Sequence, residues 1–308
     1  MAVGDFNIFI QRFINEFTAA AIPCFFAISG FLFFLALNDY RTIFEKLRKR
    51  VRTLLVPFLL WNILFIFLWC LLYGLVPALR SQLICSYGIT FSLDWFAKRL
   101  TVEPIVGQFW YIRTLIVFCL FTPLILWSYR SKIISLIMLA LLMRNWQCVD
   151  CSLFSTEGMF CFYFGGMIGY NNWHRDWHCV KCSWLLLPVI AGMIINDIMD
   201  YGFYGSWFLR IFLTMIFLFQ CSLYLAEKIP AGDKIAGMNQ YSFFIYALHG
   251  SLLAALSLSL SRFFPHTPAI SLMQYFFCVF VVIIAAIGLS VVIQKLLPHF
   301  YKILTGGR

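Results

Sequence analysis

Long uncharged apolar runs, separated by short polar segments, dominate the chain. The hydrocarbon core of a bilayer is about 30 Å thick, and a helix needs roughly twenty apolar residues to cross it. Nine runs approach or exceed that length, and each predicts a transmembrane helix: Thr18–Leu37, Leu54–Leu79, Gln108–Tyr129, Ile133–Met143, Gly158–Trp173, Cys182–Asn196, Trp207–Ala226, Ile235–Ser261 and Ala269–Gln294. Without internal repeats or linkers, the pattern indicates one all-α polytopic membrane domain over residues 1–308.

The Lys and Arg residues fall unevenly on the two sides that nine alternating spans define. One side collects fifteen of them, six within Arg41–Arg52, and the other side collects six. Arg113 and Arg210 lie inside spans. Because basic residues concentrate in cytoplasmic loops, this distribution predicts an N-terminus outside the cytoplasm and a cytoplasmic C-terminus. The polar segment 1–17 is then an extracytoplasmic connector in front of the first span.

Composition supports lipid rather than water as the main solvent of this chain. It is 62% hydrophobic and 12% charged, whereas soluble domains are about a quarter charged. The net charge of +10 is not a nucleic-acid footprint, because the basic residues lie in short loops between apolar runs. That placement indicates contact with the anionic head groups of membrane lipids. Six of the eleven cysteines fall inside apolar runs, where they act as small buried hydrophobes.

The predicted topology is unusual at its N-terminus. No cleavable signal peptide is visible, and an odd number of spans with an external N-terminus is unusual for such a chain. Residues 1–17 are too short and too polar to cross the bilayer themselves. We therefore expect one further helix in front of the nine.

Five sequence blocks, in order along nearly the whole chain, resemble signatures of the acyltransferase-3 family, the integral membrane O-acyltransferases of bacteria. The blocks are Pro23–Leu32, Arg50–Asn62, Gly107–Leu115, Phe162–Gly169 and Tyr241–His249. Each block alone is a weak signal, and their common order makes the resemblance specific. The resemblance implies ten helices in the bacterial inner membrane with both ends cytoplasmic, of which this chain supplies the last nine.

The chain departs from the family pattern at its start. The first helix of the family carries an Arg followed by a His that is taken as the central catalytic residue, and no such pair occurs here. The histidines are His174, His178, His249, His266 and His299, and none lies near the N-terminus. This departure favours either a start codon assigned too late or a truncated, inactive copy.

Acyl transfer from a thioester to a hydroxyl requires a general base and donors for the developing oxyanion. His249 lies inside a predicted span and is a candidate catalytic residue, and it matches a different family position from that of the missing His. The alternative is a neutral His bonded to a neighbouring helix. Ser29, beside Gly30, also has two interpretations. Small residues suit a packing notch between helices, whereas the resemblance places Ser29 near the reaction centre as a hydrogen-bond donor.

The basic segment between the first two spans is the candidate site for the acyl donor. By resemblance the donor is acetyl-CoA or another acyl-CoA, which arrives from the cytoplasm and is not a bound cofactor. Arg48, Arg50 and Arg52 lie on the predicted cytoplasmic side and suit the donor's phosphates. Topology and lipid head groups explain the same cluster, so both interpretations stay open.

The candidate acceptor site consists of side chains near the ends of spans. Trp61 and Asn62 close the second block of the resemblance. Trp110 and Tyr111 either line the acceptor cavity or anchor their span at the membrane interface. Arg113 lies five residues inside the same span, where it either faces a cavity or snorkels to the surface. No motif identifies the acceptor beyond a glycan or lipid-linked saccharide.

Two Cys-x-x-Cys pairs have the spacing of half a zinc site. They are Cys148–Cys151 and Cys179–Cys182, and they lie on opposite predicted faces of the membrane, which excludes a shared ion. His174 and His178 share the predicted cytoplasmic loop of the second pair. Local metal binding there is an alternative to chance in a Cys-rich chain, and we predict no metal site.

Together these features predict a multi-pass O-acyltransferase that moves a short acyl group, acetyl by resemblance, from acyl-CoA to a glycan or lipid-linked sugar of the cell envelope. Two other functions stay open. One is a carrier of such a molecule without chemistry, and the other is an inactive remnant. The lack of internal symmetry argues against a carrier, because many transporters consist of two related halves.

Overall fold

The computed structural model describes residues 3–35, 37, 40–77, 80–81, 88–146, 150–151, 153–173, 184–198, 206–228, 232–264 and 267–307. Most of these residues are helical, as the apolar runs predict. The α-helices are α1 Val3–Thr18, α2 Ala21–Phe34, α3 Tyr40–Arg50, α4 Val56–Leu75, α5 Leu93–Thr101, α6 Trp110–Tyr129, α7 Lys132–Arg144, α8 Thr156–Tyr170, α9 Leu186–Ile198, α10 Ser206–Lys228, α11 Gly232–Phe263, α12 Pro268–Leu296 and α13 Pro298–Leu304. A π-helical turn, Val51–Leu55, joins α3 to α4, a 3₁₀ turn, Gly107–Phe109, precedes α6, and β1 Asp150–Cys151 pairs with β2 Phe154–Ser155.

The segment predicted as an N-terminal connector is helical. Most of residues 1–17 form α1, which passes through a short turn into α2. Phe13 and Phe17 lie one turn apart on one face of α1 and pack against a buried cluster of α9 and α10. The segment Phe9–Phe34 is long and apolar enough to count as one span. The first candidate span therefore begins before Thr18, and the extracytoplasmic location of the segment stays a prediction.

In the described part of the chain, six helical segments are long and apolar enough to cross a membrane: Phe9–Phe34, Tyr40–Leu75, Gly107–Tyr129, Trp207–Leu225, Gly237–Leu260 and Ala269–Leu296. The other three predicted spans correspond to shorter helices, α7 with 13 residues, α8 with 15 and α9 with 13. A helix of 13 residues is about 20 Å long, which is less than the bilayer core. The count of nine therefore stays a prediction.

Four central helices, α2, α6, α8 and α10, run in the same direction. α2 and α6 run parallel, because the ring of Phe25 lies near Tyr111 at one end and that of Phe34 lies near Tyr129 at the other. Close backbone approaches show that α8 runs parallel to α2, and ring pairs show that α10 runs parallel to α8. The short helices α7 and α9 therefore return the chain between parallel neighbours, as membrane crossings do.

α2 and α8 pack with their backbones in contact because glycines face the partner helix. A Cβ atom on Gly165 would lie 1.9 Å from the carbonyl oxygen of Ala27, and one on Gly30 would lie 2.0 Å from that of Phe162. Small residues at such positions let membrane helices approach closely. Gly30 therefore supplies the packing notch that the sequence suggests, and Ser29 lies beside it.

Arg210, one of the two arginines within predicted spans, joins three helices. Its side chain is 1% exposed and lies 2.6 Å from Glu16 Oε2 of α1 and 2.9 Å from Asp197 Oδ2 of α9. It also donates to the Glu16 carbonyl oxygen at 2.7 Å. A buried charge is tolerated only when it is paired and hydrogen-bonded. This ion triad therefore fixes α1, α9 and α10 at one level.

The basic helix α3 lies across the ends of α2 and α6. Lys46 Nζ donates to the carbonyl oxygens of Phe33 at 2.7 Å and Leu35 at 2.8 Å, groups at a helix C-terminus that lack intrahelical partners. The guanidinium of Arg130 lies 4.5 Å from the ring centroid of Tyr40. These contacts bring the basic segment to the end of the helix that carries Ser29.

Candidate active site

Ser29 and Tyr111 are hydrogen-bonded to each other across the α2–α6 contact. Ser29 Oγ lies 3.0 Å from Tyr111 Oη, and the Tyr111 hydroxyl donates to the carbonyl oxygen of Phe25 at 3.2 Å. Because a tyrosine hydroxyl has one proton, the Ser29 hydroxyl is the donor in the first bond. The structure therefore brings together two predicted site residues that are 82 positions apart.

Tyr246 of α11 lies next to this pair. Its ring centroid is 6.3 Å from that of Tyr111, in an edge-to-face arrangement. On its other side the ring stacks on Phe109, with centroids 5.7 Å apart and planes 4° from parallel. The start of α6 and the middle of α11 therefore meet through aromatic contacts.

Gln108, directly before Phe109, forms polar bonds to α11 at the same level. Its Nε2 donates to the carbonyl oxygen of Ala247 at 2.9 Å and to that of Tyr246 at 3.3 Å. In return, the Tyr246 hydroxyl donates to the backbone carbonyl of Gln108. The two residues therefore hold each other by crossed hydrogen bonds between side chain and backbone.

His249 lies one turn after Tyr246 and is half-buried. Its Nδ1 is 2.8 Å from the carbonyl oxygen of Tyr246. A carbonyl only accepts, so in the neutral ring Nδ1 carries the proton and Nε2 is the free base. The sequence left open a bond from this His to a neighbouring helix, and the observed bond is to its own helix. His249 reaches Ser29 through a continuous series of contacts by way of Tyr246 and Tyr111.

Trp110 and Arg113 pack at the start of α6. The ring of Trp110 lies 6.3 Å from that of Phe26, a core residue of α2. Arg113 is half-buried, and its Nη1 donates to the carbonyl oxygen of Val102. That bond directs the guanidinium to the segment between α5 and α6. Binding of an acceptor by these two side chains stays a prediction.

Trp61 and Asn62, the other predicted acceptor residues, are buried and bonded to protein groups. Trp61 Nε1 donates to the carbonyl oxygen of Leu304 at 3.1 Å. Asn62 is 0% exposed, and its Oδ1 accepts from the Ile105 N–H at 2.9 Å while its Nδ2 donates to Phe58 O at 2.8 Å. Both side chains therefore hold segments of this protein in place, and their role toward an acceptor stays a prediction.

A separate basic pocket of about 420 Å³ lies on α3 and the π-helical turn. It is lined by Glu45, Arg48, Lys49 and Arg52, which share one helix face by their spacing. Arg50 is half-buried and does not line this pocket. The structure therefore brings together two of the three arginines predicted for the acyl donor, with Lys49 as a third cation.

The basic pocket and the Ser29 cluster lie at different levels along α2. Ser29 is six residues before Leu35, whose carbonyl accepts from Lys46 of α3. At 1.5 Å per residue, that separation is about 9 Å along the helix axis. Gln108 and Tyr111, at the start of α6, lie at the end away from α3. The basic pocket and the hydroxyl cluster are therefore separate sites on the same part of the bundle.

An apolar cavity of about 510 Å³ lies between α2, α8 and α10. Phe25 and Ile28, which are 58% and 47% exposed, form its wall on α2. Phe25 is also the residue whose carbonyl accepts from Tyr111. Phe25 therefore links the cavity to Tyr111, whereas Ser29 and Tyr111 do not line the cavity.

The sequence pattern did not identify Gln108 and Tyr246 as candidate site residues. Both lie inside sequence blocks that carry the family resemblance, yet neither was singled out. The available signal was polarity inside an apolar span, because such groups need partners in a membrane. Their partnership itself spans 138 positions and has no local signal.

Among the residues that the structure describes, no group of three or more His, Cys, Asp or Glu side chains could hold a metal ion. The loop considered for local metal binding, with His174, His178, Cys179 and Cys182, lies outside the described residues, as does Cys148.

Comparison with known proteins agrees with the motif blocks. The acyltransferase-3 family, described as an acyltransferase domain, matches residues 2–293. The succinoglycan biosynthesis protein ExoH of Rhizobium meliloti is 24% identical over 318 residues, an alignment that covers 93% of this chain and 79% of that relative. No solved structure matches the chain. Because the family match extends over nearly the whole sequence, this multi-pass helical membrane protein belongs to the acyltransferase-3 family.

Proposed function

We propose that this protein is a membrane O-acyltransferase that transfers a short acyl group, acetyl in the first instance, from acyl-CoA to a hydroxyl of a polysaccharide or its lipid-linked precursor. Family membership supports acyl transfer, and the relative named for succinoglycan biosynthesis supports such an acceptor. The excess of basic residues on one predicted side supports a cytoplasmic C-terminus, and family membership supports the bacterial inner membrane.

The observation that carries the proposal is the bond at His249. Its Nδ1 faces a carbonyl oxygen, so the neutral ring presents unprotonated Nε2, which is the form a general base needs. The same contact network contains the hydroxyl groups of Ser29 and Tyr111. A base and two hydroxyl donors are the groups that transfer to a hydroxyl requires.

The proposed reaction assigns one step to each group. His249 Nε2 takes the proton of the acceptor hydroxyl as that oxygen attacks the thioester carbonyl carbon. The carbonyl oxygen becomes negative, and the hydroxyls of Ser29 and Tyr111 rotate out of their bonds to Tyr111 and to the Phe25 carbonyl oxygen and donate to it. The C–S bond then breaks, the ester forms, and the departing CoA thiolate takes the proton from His249. Arg48 and Arg52, on α3 and the turn after it, hold the phosphates of the donor.

The apolar cavity supports a lipid-linked form of the acceptor. Its lining is almost wholly apolar, and Phe25 links it to Tyr111. A hydrocarbon chain in this cavity would keep the attached saccharide near the hydroxyl cluster. This position favours a lipid-linked saccharide over a free polysaccharide as the acceptor.

Inverted membrane vesicles that contain the protein, supplied with radiolabelled acetyl-CoA, test the proposal. We expect release of CoA thiol and transfer of label to saccharide in an ester that mild alkali removes. His249→Ala should lower the rate by about 10²–10⁴-fold, the usual contribution of a general base. His299→Ala is the matched control, because His299 is exposed on α13, and it should keep the full rate.

Two other results would each contradict the proposal. Movement of labelled saccharide across the membrane without ester formation would establish the carrier function. Vesicles that release no more CoA than vesicles lacking the protein, and that move no saccharide, would identify an inactive copy.

A further inference from the structure

One of the two crossed hydrogen bonds between Gln108 and Tyr246 reaches the backbone oxygen that also bonds His249. The carbonyl oxygen of Tyr246 accepts from Gln108 Nε2 at 3.3 Å and lies 2.8 Å from His249 Nδ1. Gln108 belongs to the turn before α6, whereas Tyr246 and His249 belong to α11. One backbone oxygen therefore links the imidazole to a different part of the bundle.

The Tyr246 side chain completes this link from the other direction. Its hydroxyl donates to the backbone carbonyl of Gln108, and its ring lies between Phe109 and Tyr111. The turn before α6 is therefore tied to α11 by polar bonds and by ring contacts. Rotation of α11 about its own axis, which would carry His249 with it, would break all of them.

Gly250, directly after His249, has no side chain, and the side-chain amide of Gln108 occupies the space beside it. A Cβ atom at position 250 would lie 2.5 Å from Gln108 Oε1, closer than any ordinary contact. Even an alanine there would displace the amide from the two carbonyls of α11. The absence of a side chain at Gly250 therefore allows the long side chain of Gln108 to reach α11.

We propose that Gln108 and Tyr246 are positioning residues that hold His249 with its proton on Nδ1 and its Nε2 free. This inference rests on the proposed function, in which Nε2 is the base. Gln108 suits the task because its amide can donate to carbonyl oxygens, which a carboxylate cannot do. Tyr246 suits it because one residue supplies the accepting carbonyl, the stacked ring and the returning hydroxyl bond.

Two variants separate the polar bonds from the bulk of the side chains. Gln108→Glu keeps the size of the residue but replaces the donor with an acceptor that faces two carbonyls. Tyr246→Phe keeps the ring contacts and removes only the bond to the Gln108 carbonyl. The matched controls are Gln240→Glu, exposed on the same helix α11, and Tyr275→Phe, whose hydroxyl lies 3.3 Å from Asn15 Oδ1 on α1.

The first measurement is the tautomer of His249, read from ¹⁵N chemical shifts of histidine-labelled full-length protein in nanodiscs. The His249 signals are identified by their loss in His249→Ala. We expect the Nδ1–H form in the wild type and both controls, and a substantial fraction of the Nε2–H form in Gln108→Glu and Tyr246→Phe. This measurement needs no substrate, so it decides the inference even where no acyl transfer is found.

The second measurement is CoA release at varied acetyl-CoA concentration. Both variants should lower kcat by about tenfold to hundredfold, part of the general-base contribution, with the KM for acetyl-CoA unchanged. Equal tautomer populations in all five proteins would overturn the inference, whatever the rates. Failure of the proposed function alone would appear differently, as a wild type without CoA release whose tautomer still responds to the two variants.

Discussion

Ser29 has two properties to distinguish, its small volume, which concerns helix packing, and its hydroxyl group, which concerns the chemistry. The residue lies beside Gly30, where α2 touches the backbone of α8. Its hydroxyl bonds to Tyr111 on the opposite side, toward α6. The packing and the chemical interpretations of this residue therefore make different demands, and a substitution can separate them.

Replacement of Ser29 by Ala preserves the small volume and removes only the donor. The packing interpretation predicts no loss of rate, whereas the catalytic interpretation predicts a loss of about 10²–10³-fold, as for removal of one oxyanion donor. We expect the larger loss in CoA release, with a change in unfolding free energy of about 1 kcal/mol or less. Ser259→Ala is the control, because the Ser259 hydroxyl bonds only within an exposed turn of α11. An unchanged rate in Ser29→Ala would leave packing as its role.

At the scale of elements, the contact between α2 and α8 places the candidate site. Both helices are too uniformly apolar to select a face by polarity, so shape decides which faces meet. Gly30 and Gly165 have no side chains at the positions where the two backbones approach. The same contact sets the rotation of α2, and thereby directs Ser29 toward Tyr111 of α6.

Adding one methyl group at Gly165 should separate these two helices. In Gly165→Ala the new Cβ would lie 1.9 Å from the Ala27 carbonyl oxygen, so the backbone must shift. We expect a loss of about 3 kcal/mol or more in unfolding free energy, measured by thermal unfolding in detergent, with a matching loss of activity. Gly192→Ala on α9 is the control, because its Cβ would meet no atom within 4 Å. Equal stability of the two variants would show that the close approach is not required.

At the scale of the whole molecule, the basic pocket and the hydroxyl cluster lie at different levels along α2. Lys46 holds α3 against the end of α2, and the exposed Arg48 and Arg52 line the pocket on α3 and the turn after it. The cluster around Ser29 lies farther along the same helix. This arrangement suits a donor with charged phosphates at one end and a reactive thioester at the other.

Removing the charges of the pocket should weaken donor binding without affecting the chemical step. We expect the double variant Arg48→Gln, Arg52→Gln to raise the KM for acetyl-CoA by about tenfold or more, since charged hydrogen bonds contribute about 1.5–3 kcal/mol each. The kcat should stay near the wild-type value. Arg262→Gln, an exposed change at the far end of α11, should leave both constants unchanged. An equal KM in the double variant would assign the cluster to lipid head groups and topology alone.

The sequence by itself determined the class of the protein and the positions of most of its helices. Hydrophobic length is a property of consecutive residues, so six long runs reappear as candidate spans. The motif blocks are local as well, and the family they indicate is confirmed. The shorter runs could not be assigned as membrane spans from the sequence alone. Helices of 13 to 15 residues are shorter than a bilayer crossing requires, so their placement depends on the helices beside them.

Only the tertiary structure decided which residues meet. Gln108 and Tyr246 are 138 positions apart, and Asn62 accepts from Ile105 across 43 positions. Arg50 follows Arg48 in the sequence pattern but lies outside the pocket that Arg48 lines. Such outcomes depend on how helices rotate and pack against one another. Packing is a property of pairs of surfaces, and a single run of residues does not contain it.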